Sequence, residues 1–82
     1  MKDWIAVTGL HRFDLTATHT AIPASVMNDP SLSLEARGLF ALLLSYQGQP
    51  IDPYEGAIED SETIAGAIEE LIAEGYAARM TR

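Results

Sequence analysis

"LSLEARGLFALLLSY", residues 32–46, decides how this chain folds. Ser33 stands where a helix N-cap belongs. Its hydroxyl can accept a bond from a free backbone N–H of the first turn, and Glu35 suits the positive end of the helix dipole. Ala36, Leu39, Phe40 and Leu43 then recur at i, i+3, i+4 and i+7, the spacing of one buried stripe, and Leu42 and Leu44 broaden it. The pattern predicts a helix central to the core. Gly38 inside it is about 1 kcal/mol less favourable than Ala, which predicts that another backbone passes close by. "QGQP", residues 47–50, ends the helix.

Downstream, "DPYE", residues 52–55, reads as a second, short helix start, with Asp52 as cap, Pro53 at the first position and Glu55 placed to reach back. Asp60 and Ser61 offer the next cap. From there Ile64, Ile68, Leu71 and Ile72 lie at i, i+4, i+7 and i+8, while Ala65, Gly66 and Ala67 keep the neighbouring surface small. Gly75 sits at the C′ position, so the spacing predicts a helix over 62–74. "YAARMTR" alternates, with Tyr76, Ala78 and Met80 on one side, as a closing strand does.

Upstream, residues 3–8 read as a short strand with Ile5 and Val7 on one face. Residues 12–18 alternate again, with Phe13, Leu15 and Ala17 opposite Asp14, Thr16 and Thr18. Pro23 fits the first position of a helix of one or two turns, with Val26 and Met27 inward, and Pro30 closes it. The expected architecture is α+β in a single domain over residues 1–82. It has three to four helices and a short N-terminal strand or hairpin pairing with a C-terminal strand.

The totals narrow the function. At 82 residues the chain supports one modest core. It has no cysteine, which excludes disulfides, thiolate metal sites and cysteine catalysis and fits a cytoplasmic protein. Residues 1–20 show no basic segment followed by an apolar run, so no signal peptide is expected. The apolar run 39–44 is too short to span a bilayer. The net charge is −7, a field that repels nucleic acid and anionic membrane and favours a basic partner.

"DPSLSLEARGLFALLLS" resembles the opening of winged helix-turn-helix domains in phage and plasmid replication initiators and related bacterial regulators. "SETIAGAIEELIAEGYAAR" resembles their later part, where a recognition helix runs into the wing. The likeness covers roughly residues 22–79 and implies a small winged-helix scaffold. Three departures accompany it. The second helix has room for only about two turns between Glu55 and Thr63. A two-stranded wing is expected to be incomplete or absent. The recognition helix carries carboxylates where members of the family carry Lys, Arg, Ser and Asn.

That charge reversal sets the functional expectation. From Gly38 to Ala78 there are eight acidic residues and no Lys or Arg. Phosphate contacts need Lys or Arg, and base readout needs donors; residues 61–75 include no Arg, Lys, Asn or Gln. The sequence therefore favours a non-enzymatic regulatory module, of phage or mobile-element type, that meets a basic protein surface. The DNA-binding surface of a protein, or of transcription or replication machinery, is a partner of that kind. Glu59, Asp60, Glu62, Glu69, Glu70 and Glu74 are the candidate contacts. The alternative is a DNA-binding regulator or replication-initiator domain using Arg79 and Arg82, or needing a dimer. If the carboxylates only solvate a helix face, binding lies elsewhere, for example around Trp4, Tyr46 or Tyr54. No cofactor and no membrane partner are expected. His11 and His19 lack metal-ligand spacing, Glu69 and Glu70 point to different sides of a helix, and no G-x-S-x-G turn is present.

Overall fold

A computed structural model describes residues 3–8 and 22–80 of the chain. Within them the elements are β1 (Ile5–Val7), α1 (Ala24–Met27), α2 (Leu34–Ser45), α3 (Ser61–Ala73) and β2 (Ala77–Arg79), a small α+β arrangement. The extended stretch expected at 12–18 lies outside the described residues.

The caps of the two long helices follow from the sequence. Ser33 Oγ accepts the Ala36 N–H at 3.1 Å and starts α2. Asp60 takes the equivalent place on α3, accepting the Thr63 N–H at 2.8 Å, so the helix begins at Ser61, one residue ahead of the span expected. At the far end Gly75 adopts φ +77°. Its N–H donates to the Ile72 carbonyl at 3.0 Å and that of Tyr76 to Leu71 at 2.9 Å, the paired closing bonds that a left-handed residue makes possible.

Three local expectations need correction. Pro23 is the residue before α1, not its first helical position; α1 is a single turn that buries Val26. Residues 52–55 form no helix. Asp52 Oδ1 accepts the Tyr54 N–H at 3.1 Å, and the Glu55 N–H reaches only the Asp52 carbonyl, at 3.2 Å. The side chain thus holds its own backbone in a tight turn, and Gly56 at φ +74° leaves the helical region before a second turn can form. Finally, no backbone approaches Gly38. It is exposed, and a Cβ built there meets nothing within 4 Å.

The core lies between α2, α3 and the strands. Phe40, Leu43 and Leu44 of α2 and Ile68 and Leu71 of α3 are fully buried together with Ile5 of β1. Leu42 does not join them. It stands two residues from both Phe40 and Leu44, about 200° around a helix of 3.6 residues per turn, and is roughly half exposed.

β1 pairs antiparallel with β2 in the register Ile5↔Arg79, Ala6↔Ala78, Val7↔Ala77. The N-terminal strand therefore meets the C-terminal one, as expected. On its other side Ile5 exchanges both backbone bonds with Ile51, at 2.8 and 2.9 Å, which ties the loop after α2 to the sheet. This places the 51–59 loop between the sheet and the start of α3.

Candidate partner-binding surface

The six carboxylates singled out in the sequence do not make one continuous face. The chain reverses at Gly75, so β2 returns alongside α3 and sets Arg79 against Glu69. The Arg79 guanidinium donates to Glu69 Oε1 at 2.5 Å and lies 3.7 Å from Asp3. The hydrogen bond to Glu69 holds the Arg79 pKa above its ordinary value.

Glu70 turns toward the start of α2. It is half-buried, and its two carboxylate oxygens take the backbone N–H of Ser33 at 2.6 Å and the Ser33 hydroxyl at 2.8 Å. Ser33 thus accepts from the first turn of α2 while donating to α3. No local sequence signal marks this pairing, because the two residues are 37 positions apart. Glu70 is accordingly removed from the solvent-facing set.

The remaining carboxylates gather at the two ends of α3. Glu59, Asp60 and Glu62 are exposed at its start. The Thr63 hydrogen bonds hold the Asp60 carboxyl below its ordinary value. Asp60 and Glu62 both lie at the positive end of the helix dipole, which favours them there. Glu59 precedes the cap. Glu74 is the exposed C-cap residue, at the end of the dipole that disfavours a carboxylate. Among the described residues, Glu59, Glu62 and Glu74 form no ion pair.

The cations of the DNA-binding alternative are differently placed. Arg79 is engaged by Glu69 and Asp3; Arg82 lies outside the described residues. Arg37 is drawn into a polar knot that the sequence did not reveal. One of its terminal nitrogens donates to the Asp29 carbonyl at 2.8 Å. The Asp29 carboxylate accepts the Ser31 N–H at 2.8 Å and the Tyr76 hydroxyl at 3.0 Å. Those bonds, with Ser31 the larger influence, lower the Asp29 pKa. The knot joins the end of α1, α2 and the residue before β2. It is a structural tie.

A second feature adjoins the acidic start of α3. An open groove of about 1120 Å³ runs between α2 and the 51–59 loop, with Ile64 and Ala67 of α3 in its wall. Trp4 and Tyr46 line it, whereas Tyr54 is half-buried against the core. Carboxylates of the loop and of α2 border it. Its sequence signal is the series Leu34, Gly38, Leu42 and Tyr46, a four-residue spacing along the side of α2 facing away from Phe40.

Of the remaining candidates, His11 and His19 lie outside the described residues, and no group of metal-ligating side chains occurs among those described. No described helix is long and apolar enough to cross a membrane. No protein-family model matches the chain, and no curated protein or solved structure matches it.

Proposed function

We propose that the chain is a non-enzymatic regulatory module, of the kind carried by phages and mobile elements, that binds a basic protein surface on a winged-helix-like scaffold. The reading of the scaffold draws on the two sequence motifs, on the succession of α1, α2 and α3, and on the antiparallel pairing of β1 with β2.

The observation that carries the binding reading is the state of Glu59 and Glu62. Both are exposed at the start of α3 and unpaired among the described residues. Asp60 lies between them and Glu55 just before, so a concentrated negative field reaches solvent there. A basic protein surface gains from that field in association rate and partner choice, while a duplex, itself polyanionic, is repelled. Glu69 and Glu70 contribute less to it than their sequence positions imply, since Arg79 neutralises one and Ser33 binds the other.

The test is capture of a basic protein on the immobilised chain, compared with a Glu59→Lys/Glu62→Lys variant. Capture should be lost on charge reversal and should weaken with salt. Capture that survives the reversal, or retardation of duplex DNA by the wild-type chain at low salt, overturns the reading.

A further inference from the structure

We infer that the groove between α2 and the 51–59 loop is a docking site for an amphipathic helix of a partner protein, one with Lys or Arg flanking an apolar stripe. This inference rests on the protein-binding reading above and names the chemistry of the partner and where it sits.

The wall contributed by α2 is apolar and exposed. Leu34 is 77% exposed, Leu42 45% and Tyr46 49%. These residues follow one another along a single side of the helix, over twelve residues or about 18 Å at 1.5 Å per residue. That is the length of roughly three turns of an opposing helix. Gly38 falls in the middle of the series, with open space where a Cβ would be. It leaves a notch in which a partner's side chain can reach the α2 backbone. The opposite wall is the loop, where Ile58 is 96% exposed beside the groove-lining Ala57 and Glu59. Leu34, Leu42 and Tyr46 thus present large apolar side chains to water along one line, beside the exposed Ile58 of the loop.

The rim selects the partner by charge. Glu35, Asp52, Glu55 and Glu59 line the groove, and among the described residues no Lys, Arg or His does. An apolar stripe flanked by Lys or Arg complements both walls, in the manner of an amphipathic helix laid into a hydrophobic groove. A second copy of this chain fits poorly. At net −7 it would bring a like-charged rim against this one.

Trp4 is the chain's sole tryptophan and lines the groove, so its fluorescence reports on occupancy. The probe is a synthetic helical peptide without tryptophan, with Leu at i, i+3, i+4 and i+7 and Lys elsewhere. Controls are the same peptide with Glu in place of Lys, and one of scrambled order. The Leu/Lys peptide should shift Trp4 emission saturably, and the two controls should not. Leu34→Ser/Leu42→Ser replaces exposed side chains and should leave the circular dichroism spectrum unchanged; it should weaken binding by about tenfold or more, as loss of central anchors does. Glu55→Lys/Glu59→Lys should do the same, and Glu74→Lys, which does not line the groove, should not. If charge reversal weakens binding but Leu34→Ser/Leu42→Ser leaves it unchanged, the groove is not the site while the acidic-surface reading stands. If the Leu/Lys peptide does not bind at all, both fall. A concentration-dependent dimer that excludes the peptide would overturn the inference in favour of a second copy.

Discussion

Glu70 on α3 holds both the backbone N–H and the hydroxyl of Ser33, at 2.6 and 2.8 Å, and so clamps the start of one long helix to the last turn of the other. The contact is part-buried, and Ser33 simultaneously caps α2 through Ala36. One carboxylate therefore supports both the cap and the packing angle of the pair.

Glu70→Ala should lower stability by about 1.5–3 kcal/mol, the range for hydrogen bonds to a charged group. Ser33→Ala should lower it by about 1–2 kcal/mol through loss of the cap. The double substitution should cost less than the sum, because either single change already removes the Ser33 hydroxyl bond to Glu70, although the backbone N–H bond survives Ser33→Ala. Urea unfolding of the four proteins checks this. Strict additivity would mean that the two residues act independently.

The exposed salt bridge behaves differently. Arg79 and Glu69 are both well solvated, and Asp3 is the more distant second partner. Arg79→Ala should therefore shift the urea midpoint only slightly, and the shift should vanish near 1 M salt, where the Debye length falls to about 3 Å. The effect of Glu70→Ala should persist at the same salt concentration.

How far such contacts can be read from sequence depends on their range. The Ser33 and Asp60 caps, the Gly75 terminus and the buried Ile64, Ile68 and Leu71 follow from spacings within a turn or two. They were legible for that reason. The helix expected at 52–55 failed because Asp52 satisfies its own backbone locally, a competition that cap preferences alone do not resolve. Leu42 is apolar, but it lies about 200° around the helix from Phe40 and Leu44, off the stripe that the spacing of Ala36, Phe40 and Leu43 defines, and it is exposed. The acidic face was legible as composition. Its division into paired and free carboxylates was not, since it depends on Ser33 and on the reversal that brings β2 back to Glu69.

The glycines supply opposite predictions. Gly66, like Gly38, is exposed within a helix and has nothing within 4 Å of a Cβ position. Gly66→Ala should raise stability by about 0.5–1 kcal/mol. Gly75→Ala should lower it by about 1 kcal/mol or more, because φ +77° disfavours an L side chain. Thermal unfolding monitored by circular dichroism should move the melting temperature up for the first and down for the second.

Acid should act through Asp29 and Asp60. Each carboxyl titrates below its ordinary value of 3.8, Asp29 through the Ser31 N–H and then Tyr76, Asp60 through Thr63. A depressed carboxyl adds stability that is fully present above the unfolded-state value and is lost as pH falls through the folded-state value. Asp29→Asn should therefore be less stable than wild type at pH 6. The difference should shrink as pH drops below 3.8 and close once the wild-type carboxyl is protonated. Urea midpoints at pH 6, 4, 3 and 2 check the sign; a difference that widened on acidification would contradict it.

Phe40 should be the most sensitive position in the core. It is fully buried, and its ring meets Tyr76 edge-on at 5.7 Å and 65°, while the Tyr76 hydroxyl reaches Asp29. Cutting Phe40 back to Ala removes the ring and leaves a void between α2 and the turn into β2, a loss of about 3–5 kcal/mol. A domain of this size holds only about 4–12 kcal/mol in total, at roughly 0.05–0.15 kcal/mol per residue. Phe40→Ala should therefore lower the melting temperature by more than about 12 °C, taking about 4 °C per kcal/mol as the smallest effect. Phe40→Leu keeps more of the volume and should fall between wild type and Phe40→Ala. Tyr76→Phe, which keeps the ring and removes only the hydroxyl, should cost less than either Phe40 change. If Tyr76→Phe proved the most damaging, the polar tie to Asp29 would outweigh the aromatic packing in holding the C-terminal end of α3 against α2.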